Sequence, residues 1–312
     1  MHAPNFNLLK TCCQLTGISR KQRFVNLHAR MMQKTLLALL ACPKLLRPVA
    51  ALNALTLHRV HKDVSFQPVN GQPTLTRATP NGTNPQKAVL YLHGGAFVIG
   101  GLRDYKGLVS GLANAGLCAV YFLDYSKAPE SPFPAALDEA EAALDYLQEQ
   151  YGDAYVSVAG DSAGGNLALA LTHRVLAKGA AKPSAVAVFS PVTDLTKRST
   201  TFDANAGSEA LLPQGFVLRG NAAYVGAADP KDPEISPLYG TFEGAPKMLF
   251  QVDRTERLYD HSTRMVTALR EQSVEVVLRE TDGLMHCYQM YSSVTPEADR
   301  ALAEAAAFLT AD

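Results

Sequence analysis

Ser162 stands where a serine could act as a nucleophile. Glycines flank it two residues away on either side, Gly160 and Gly164, in the run GDSAGGN. An apolar, strand-like run precedes this motif and a run of helix formers follows it. A tight turn between a strand and a helix holds the serine in a strained backbone conformation, with its hydroxyl projecting above the sheet. The N–H group of Ala163, at the start of the helix, would then point to where negative charge develops on an attacked carbonyl.

A second glycine motif, HGGAF over residues 93–97, follows another apolar run. Glycines directly after a buried strand allow backbone N–H groups to turn towards a bound anion. We therefore expect the N–H groups of Gly94 and Gly95, together with that of Ala163, to form an oxyanion hole. Ala96 is a further candidate donor.

The two motifs, in this order, resemble those of the hormone-sensitive-lipase-like group of α/β-hydrolases, the bacterial carboxylesterases. Two more runs are similar to that family: DYSKAPE over residues 124–130 to its D-Y-R-L-A-P-E, and FPAALDE over residues 133–139 to its F-P-A-A-x-x-D. The resemblance implies an α/β-hydrolase fold with a mostly parallel central sheet, helices on both faces and a helical cap. That family usually has a third glycine at position 96, so Ala96 is expected to narrow the acyl site by one methyl group.

Ser162 needs a general base, and the base needs a carboxylate to orient it. The chain has eight histidines. In the resembling family the base lies in the loop between the last strand and the last helix, where this chain has His286. His93 is the alternative, but its place directly before the second glycine motif suggests that its ring braces that loop.

The acid is expected after the strand predicted at residues 247–252, because triads on this fold run in the order serine, acid, histidine. Asp253, Glu256 and Asp260 are the candidates. The resembling family has its acid four residues after the last valine of the strand, a spacing that Val252 and Glu256 match. The resemblance therefore implies Glu256 as the acid, with Asp253 as the alternative that could compete for the same imidazole.

The elements that must position these residues alternate between strands and helices. Strands are predicted at residues 88–92, 117–123, 155–159, 184–189, 247–252 and 274–279, and helices at 104–114, 134–150, 163–178, 257–272 and 296–309. This alternation indicates a mostly parallel sheet covered by helices on both faces. Upstream, residues 58–62 and 73–78 are predicted to form an antiparallel pair, with a turn at Asn70-Gly71 between them.

Residues 196–243 interrupt the alternation with polar residues, glycines, prolines and two short apolar pieces. A long insert between two strands usually has a function. We assign it, together with the helix-forming residues 1–55, to a cap over the pocket. Residues 56–195 and 244–312 then form the catalytic α/β-hydrolase domain.

The composition argues against several other classes of protein. The 312 residues include 29 basic and 29 acidic side chains, and this balance argues against a nucleic-acid-binding protein. Five cysteines, an odd number without metal-type spacing, favour reduced thiols and a cytoplasmic location. No run approaches the roughly 20 apolar residues of a membrane span. Phosphate-binding loops, dinucleotide fingerprints and metal-ligand clusters are also missing, so we expect neither a cofactor nor a metal.

These observations predict a serine carboxylesterase that hydrolyses small esters with short or medium acyl chains through an acyl-enzyme. An amidase, an arylformamidase or a deacetylase could use the same triad. A catalytically silent receptor on this fold is a further alternative, which an intact set of Ser162, Glu256 and His286 argues against. The resemblance implies a monomer or a homodimer.

Overall fold

An eight-stranded sheet lies between two layers of helices. The computed structural model describes residues 17–39, 59–196 and 199–311. The strands found there are β1 (Val64–Val69), β2 (Gln72–Pro80), β3 (Ala88–Leu92), β4 (Ala119–Leu123), β5 (Val156–Asp161), β6 (Ala185–Phe189), β7 (Lys247–Asp253) and β8 (Val276–Thr281). Their order in the sheet is β1-β2-β4-β3-β5-β6-β7-β8. All neighbours from β4 to β8 pair in parallel, whereas β2 pairs antiparallel with both β1 and β4.

Helices cover both faces of this sheet. They are α1 (Arg20–Leu39), α2 (Leu102–Gly116), α3 (Ala135–Tyr151), α4 (Ser162–Ala177), α5 (Thr201–Ala204), α6 (Gln214–Val225), α7 (Tyr259–Glu271) and α8 (Pro296–Thr310). Short 3₁₀ helices occur at Asp153–Tyr155, Pro237–Tyr239 and Tyr288–Tyr291. The helices α3, α4 and α7 share one apolar core with the sheet, and α2 and α8 share the other. The predicted α/β-hydrolase architecture is therefore confirmed.

The apolar sequence of the inner strands follows from this double cover. β3 reads AVLYL, and all of its residues are buried. Leu90 and Leu92 contribute to one core, whereas Val89 and Tyr91 contribute to the other. A parallel strand between two helical layers has no solvent face and needs no polar alternation.

The prediction of a strand over residues 58–62 is wrong. The strand before the Asn70-Gly71 turn is β1, which begins only at Val64. Val69 pairs with Gln72 across the two-residue turn, and the register shifts between Pro68, which pairs with Thr76, and Val69. The predicted strands and helices from residue 88 onwards all lie within two residues of their observed ends.

The strand order contains a switch point between the central strands β3 and β5. β3 and β5 are neighbours, but the chain continues from β3 to β4 on one side and from β5 to β6 on the other. The loops that follow β3 and β5 therefore diverge at the carboxyl ends of their strands. Open α/β sheets bind their ligands at such a switch point. The glycine loop of residues 93–97 follows β3, and Ser162 follows β5.

The 196–243 segment connects β6 to β7 and carries α5 and α6. α1 packs its buried Val25 and Ala29 into a cluster that includes Met285, beside the candidate base. The division into a cap and a catalytic domain stays a prediction, and residues 1–16, 40–55 and 197–198 of the predicted cap lie outside the described residues. In the described ranges, no helix is long and apolar enough to cross a membrane.

Candidate active site

Ser162 is the first residue of α4, directly after β5. Its φ of 50° lies in the left-handed region, which residues with a β-carbon avoid. The turn forms because two neighbours lack side chains. A β-carbon at Gly160 would collide with the backbone of Gly164, and one at Gly164 would collide with the carbonyl group of Leu92. Close chain approach, rather than flexibility, is therefore why both positions are glycine.

The fold brings Ser162, His286 and Glu256 into one hydrogen-bonded chain. His286 Nε2 lies 2.9 Å from Ser162 Oγ, and His286 Nδ1 lies 3.0 Å from Glu256 Oε2. A carboxylate only accepts, so Nδ1 carries the proton and Nε2 is left to accept from the Ser162 hydroxyl. The three side chains are buried, and Ser162 keeps 7% of its surface exposed. This is the geometry of a nucleophile, a base and an orienting acid.

Burial and charge act in opposite directions on this pair of ionisable groups. Burial alone would lower the pKa of His286, but the hydrogen bond and negative charge of Glu256 outweigh it and raise the pKa above its ordinary value. Burial also raises the pKa of Glu256, and the contact with His286 opposes that rise. Because the two groups touch, they exchange protons with the solvent as a pair.

Asp253, the alternative acid, is occupied elsewhere. Its carboxylate accepts the N–H group of Leu284 at 2.9 Å and the hydroxyl of Thr281 at 2.8 Å. These bonds tie the end of β7 to the loop that carries His286. Asp260, the third candidate, accepts hydrogen bonds from the segment that follows β6. Of the three carboxylates, the structure brings only Glu256 to the imidazole.

His93, the alternative base, braces the glycine loop. Its Nδ1 donates to the carbonyl oxygen of Gly94 at 2.7 Å, and its ring stacks on Tyr125 with the centroids 4.2 Å apart. Burial lowers the pKa of His93 to about 4, so the ring is neutral at neutral pH. Its contacts therefore hold the loop.

Gly94 differs from the prediction that its N–H group lines the oxyanion hole. This N–H group donates to Asp161 Oδ1 at 3.0 Å. The same buried carboxylate accepts the hydroxyl groups of Tyr91 and Tyr105, each at 2.8 Å. Asp161 directly precedes Ser162, so it fastens the loop after β3 to the nucleophile turn after β5. Because the Gly94 N–H group already donates to Asp161, it does not donate to an oxyanion.

Three other N–H groups remain as donors. Those of Gly95 and Ala96 form no hydrogen bond with another described residue, and Ala163 lies in the first turn of α4, where N–H groups have no partner within the helix. The methyl group of Ala96 faces α6, because a β-carbon added at Gly220 would lie 2.7 Å from Ala96 Cβ. Its narrowing of the acyl site stays a prediction.

Sequence analysis missed Glu209, a buried carboxylate of the 196–243 segment. It accepts three backbone N–H groups, those of Leu211, Leu212 and Arg257. Its negative charge raises the pKa of both Glu256 and His286, after the larger effects described above. The contact with Arg257 joins residues 48 positions apart, so no local pattern marks it.

The candidate site thus consists of a hydroxyl, an imidazole, a carboxylate and backbone N–H groups. Within residues 17–39, 59–196 and 199–311, no group of three or more His, Cys, Asp and Glu side chains is arranged to hold a metal ion.

Comparisons with known proteins identify the family of this chain. A model of a family with the α/β-hydrolase fold matches residues 89–290. An acetyl-hydrolase from Streptomyces hygroscopicus is 35% identical over 224 residues, which cover 72% of this chain and 75% of that protein. An esterase from Acinetobacter venetianus is 34% identical over 227 residues, 71% and 74% of the two chains. The crystal structure of an esterase from the bacterial hormone-sensitive lipase family superposes with a TM-score of 0.87 at 28% identity, covering 94% of this chain and 98% of that one. The chain belongs to the α/β-hydrolase fold family and, within it, to the hormone-sensitive-lipase-like bacterial carboxylesterases.

Proposed function

We propose that this chain is a serine carboxylesterase that hydrolyses short- and medium-chain acyl esters through an acyl-enzyme. The observation that carries the proposal is the hydrogen-bonded chain from Ser162 through His286 to Glu256, with links of 2.9 and 3.0 Å. The named activities of the acetyl-hydrolase and esterase relatives support ester hydrolysis. The acetyl group in the name of the first relative is a short acyl chain, within the proposed range.

In the acylation step, Ser162 Oγ attacks the carbonyl carbon of the ester while His286 Nε2 takes the hydroxyl proton. The π electrons of the carbonyl group move to its oxygen, and we assign the N–H groups of Gly95, Ala96 and Ala163 to that oxyanion. When the tetrahedral intermediate collapses, the bond to the alkoxy oxygen breaks. His286 then gives its proton to the leaving alcohol.

In the deacylation step, a water molecule repeats the attack on the acyl-serine. His286 takes a proton from the water, and after collapse returns it to Ser162 Oγ, so that the carboxylic acid leaves and the enzyme is restored. Throughout both steps Glu256 keeps the imidazole in the required tautomer and stabilises its positive charge. Each proton that His286 takes up is given to the leaving alcohol or to Ser162, so the two steps need no further acid or base.

The test is hydrolysis of p-nitrophenyl esters of graded acyl length by the wild type and by Ser162→Ala. Loss of the nucleophile should lower kcat by roughly a millionfold. Ser65→Ala, which removes an exposed hydroxyl on β1, is the matched control and should keep full activity. Full activity of Ser162→Ala would refute the proposal.

Two further measurements separate the alternatives. A faster turnover of a matched anilide than of the ester would make the protein an amidase. Failure of a serine-reactive phosphonate to label Ser162, combined with tight binding of an ester, would instead favour a receptor.

We also propose that residues 1–55 and 196–243 form the cap, and that the protein is a cytoplasmic monomer or homodimer. Cys118 and Cys287 are both free and buried thiols, which supports a reducing compartment. Light scattering on the purified protein tests the oligomeric state, and fractionation of the source cells tests the location. A higher oligomer, or recovery outside the cytoplasm, would contradict them.

A further inference from the structure

We propose that α6 belongs to the oxyanion-stabilising machinery, and that Gly220 is a positioning residue that sets the place of the Ala96 N–H group. This inference rests on the proposed function and deepens it. It concerns a helix of the 196–243 segment, which lies outside the triad and supplies none of the donors.

The starting observation is the backbone of the glycine loop. Ala96 and Phe97 are consecutive residues with positive φ, 51° and 63°. Residues with a β-carbon disfavour this region, so the surrounding structure must hold them there. Hydrogen bonds from the N–H groups of Val98 and Ile99 to Gly95 O, each 3.1 Å, close the turn. A further hydrogen bond, from the N–H group of Ala128 to Phe97 O at 3.0 Å, anchors the end of the turn, and packing must hold Ala96 itself in place.

The first packing contact comes from the backbone of α6. A β-carbon added at Gly220 would lie 2.5 Å from the carbonyl oxygen of Ala96 and 2.7 Å from its Cβ. Gly220 lies inside the helix and is not among the residues with positive φ. Glycine within a helix is unfavourable, so the close approach to Ala96, not a need for backbone freedom, explains it.

The second contact lies one helical turn further along α6. The ring of Tyr224 stacks on that of Phe97, with the centroids 3.8 Å apart and an interplanar angle of 6°. Both rings are fully buried. Because residues four apart lie on the same face of a helix, α6 presents Gly220 to Ala96 and Tyr224 to Phe97 at the same time. One face of α6 therefore seats both strained residues of the loop.

A displaced loop would damage the transition state more than the substrate complex. An oxyanion donor works when it lies about 2.7–3.1 Å from the developing negative charge, and removing one donor lowers kcat by roughly 10²–10³. A methyl group at position 220 would shift Ala96, together with its N–H group. We therefore expect a fall in kcat and little change in KM.

The central experiment compares Gly220→Ala with Gly207→Ala. Gly207 lies in the same segment, lacks positive φ, and an added β-carbon there meets nothing within 4 Å. With p-nitrophenyl butyrate we expect Gly220→Ala to lower kcat by about 10- to 100-fold with KM within about twofold, and Gly207→Ala to match the wild type. The inhibition constant of a trifluoromethyl ketone, which forms an oxyanion on the serine, should rise by the same factor as kcat falls.

A rescue experiment tests the steric cause. Ala96→Gly removes one of the two colliding atoms and makes positive φ easier to adopt. In the Gly220→Ala background it should raise kcat several-fold, whereas in the wild-type background it should give no gain. Strictly additive effects of the two substitutions would overturn the proposed contact.

A second route guards against a folding defect. If Gly220→Ala does not give the circular dichroism spectrum of the wild type, Tyr224→Leu takes its place, because it removes the ring stack and keeps an apolar side chain. A several-fold fall in kcat is expected there too. If the wild type is active, Ser162→Ala is inactive, and the folded variants at positions 220 and 224 keep wild-type kcat, the inference fails and the esterase proposal stands. If the wild type hydrolyses no ester, both fail.

Discussion

Three carboxylates influence the imidazole of His286. Glu256 hydrogen-bonds to its Nδ1, whereas Glu209 and Asp161 act on it through their charges. Together they outweigh burial and raise the pKa of His286. The base works only when its Nε2 is unprotonated, so kcat/KM should increase with pH through a midpoint above the ordinary histidine value of about 6.5.

Glu256→Gln should remove most of that upward shift. An amide can no longer stabilise the imidazolium ion, so kcat should fall by roughly 10⁴ and the midpoint of the pH profile should move to lower pH. The measurement is kcat/KM against pH for one p-nitrophenyl ester. Asp253→Asn is the comparison, because that carboxylate holds the loop and does not reach the imidazole. A greater loss in Asp253→Asn than in Glu256→Gln would reverse the assignment of the acid.

Glu209→Gln should show how strongly the charge of Glu209 acts on His286. The substitution keeps the shape of the side chain but removes a buried negative charge and the oxygen that accepts the Arg257 N–H group, so the midpoint of the pH profile should move down while the maximal kcat changes little. Asp203→Asn removes an exposed carboxylate from the same segment and should leave the profile unchanged. Identical profiles for Glu209→Gln and the wild type would show that Glu209 only anchors backbone.

The loop after β3 and the turn after β5 are joined by one carboxylate, that of Asp161. It receives three hydrogen bonds, from Gly94 N and from two tyrosine hydroxyls. An oxyanion hole built from two separate loops needs such a link, because its donors must keep a fixed separation.

Asp161→Asn should weaken this link. Its carboxamide cannot accept all three donors, so we expect a loss of about 1–3 kcal/mol in the free energy of unfolding, measured with urea, together with a lower kcat. Tyr105→Phe removes only one of the three bonds and should cost less. Equal stability of the wild type and Asp161→Asn would mean that the link is not a stabilising contact.

Apart from α5 and α6, which were not predicted within the 196–243 segment, the strands and helices from residue 88 onwards could be predicted from sequence because each has its own local signal. Apolar runs such as that of β3 stand between turn residues, and Thr295 with Pro296 marks the start of α8. β1 could not be placed correctly, because its position depends on pairing across the Asn70-Gly71 turn. Hairpin register is a property of two strands together.

The candidate site was predictable where a motif carries it. Ser162 has its flanking glycines, and the resemblance to a family supplied His286 and Glu256. No such signal marks the hydrogen bond from Gly94 to Asp161. The same is true of the close approach of Gly220 to Ala96. Both depend on contacts between elements far apart in the chain, and a single sequence does not encode those distances locally.

The amino-terminal helix α1 is integrated with the part of the chain that carries the base. Its Val25 and Ala29 are completely buried in a cluster with Leu284 and Met285, and Asn26 Nδ2 donates to Gly283 O at 2.8 Å. These contacts reach the loop that ends at His286. We therefore expect α1 to contribute to the stability of the fold as well as to any cap.

Val25→Ala should lower the free energy of unfolding by about 1–2 kcal/mol, through lost apolar burial and the cavity left behind. Leu27→Ala is the matched control: this side chain is 59% exposed, and its truncation should change stability by less than about 0.5 kcal/mol. Urea unfolding of both variants provides the measurement. Equal effects would mean that α1 does not pack on the rest of the chain in solution.

The fit of Gly220 against Ala96 limits how pieces can be exchanged among related enzymes. A chimaera that receives another esterase's 196–243 segment, transplanted to alter which acyl chains are accepted, also receives that protein's residue at position 220. If that residue has a β-carbon, this carbon collides with the methyl group at position 96. Engineers who exchange this segment should transfer the donor's residue 96 with it.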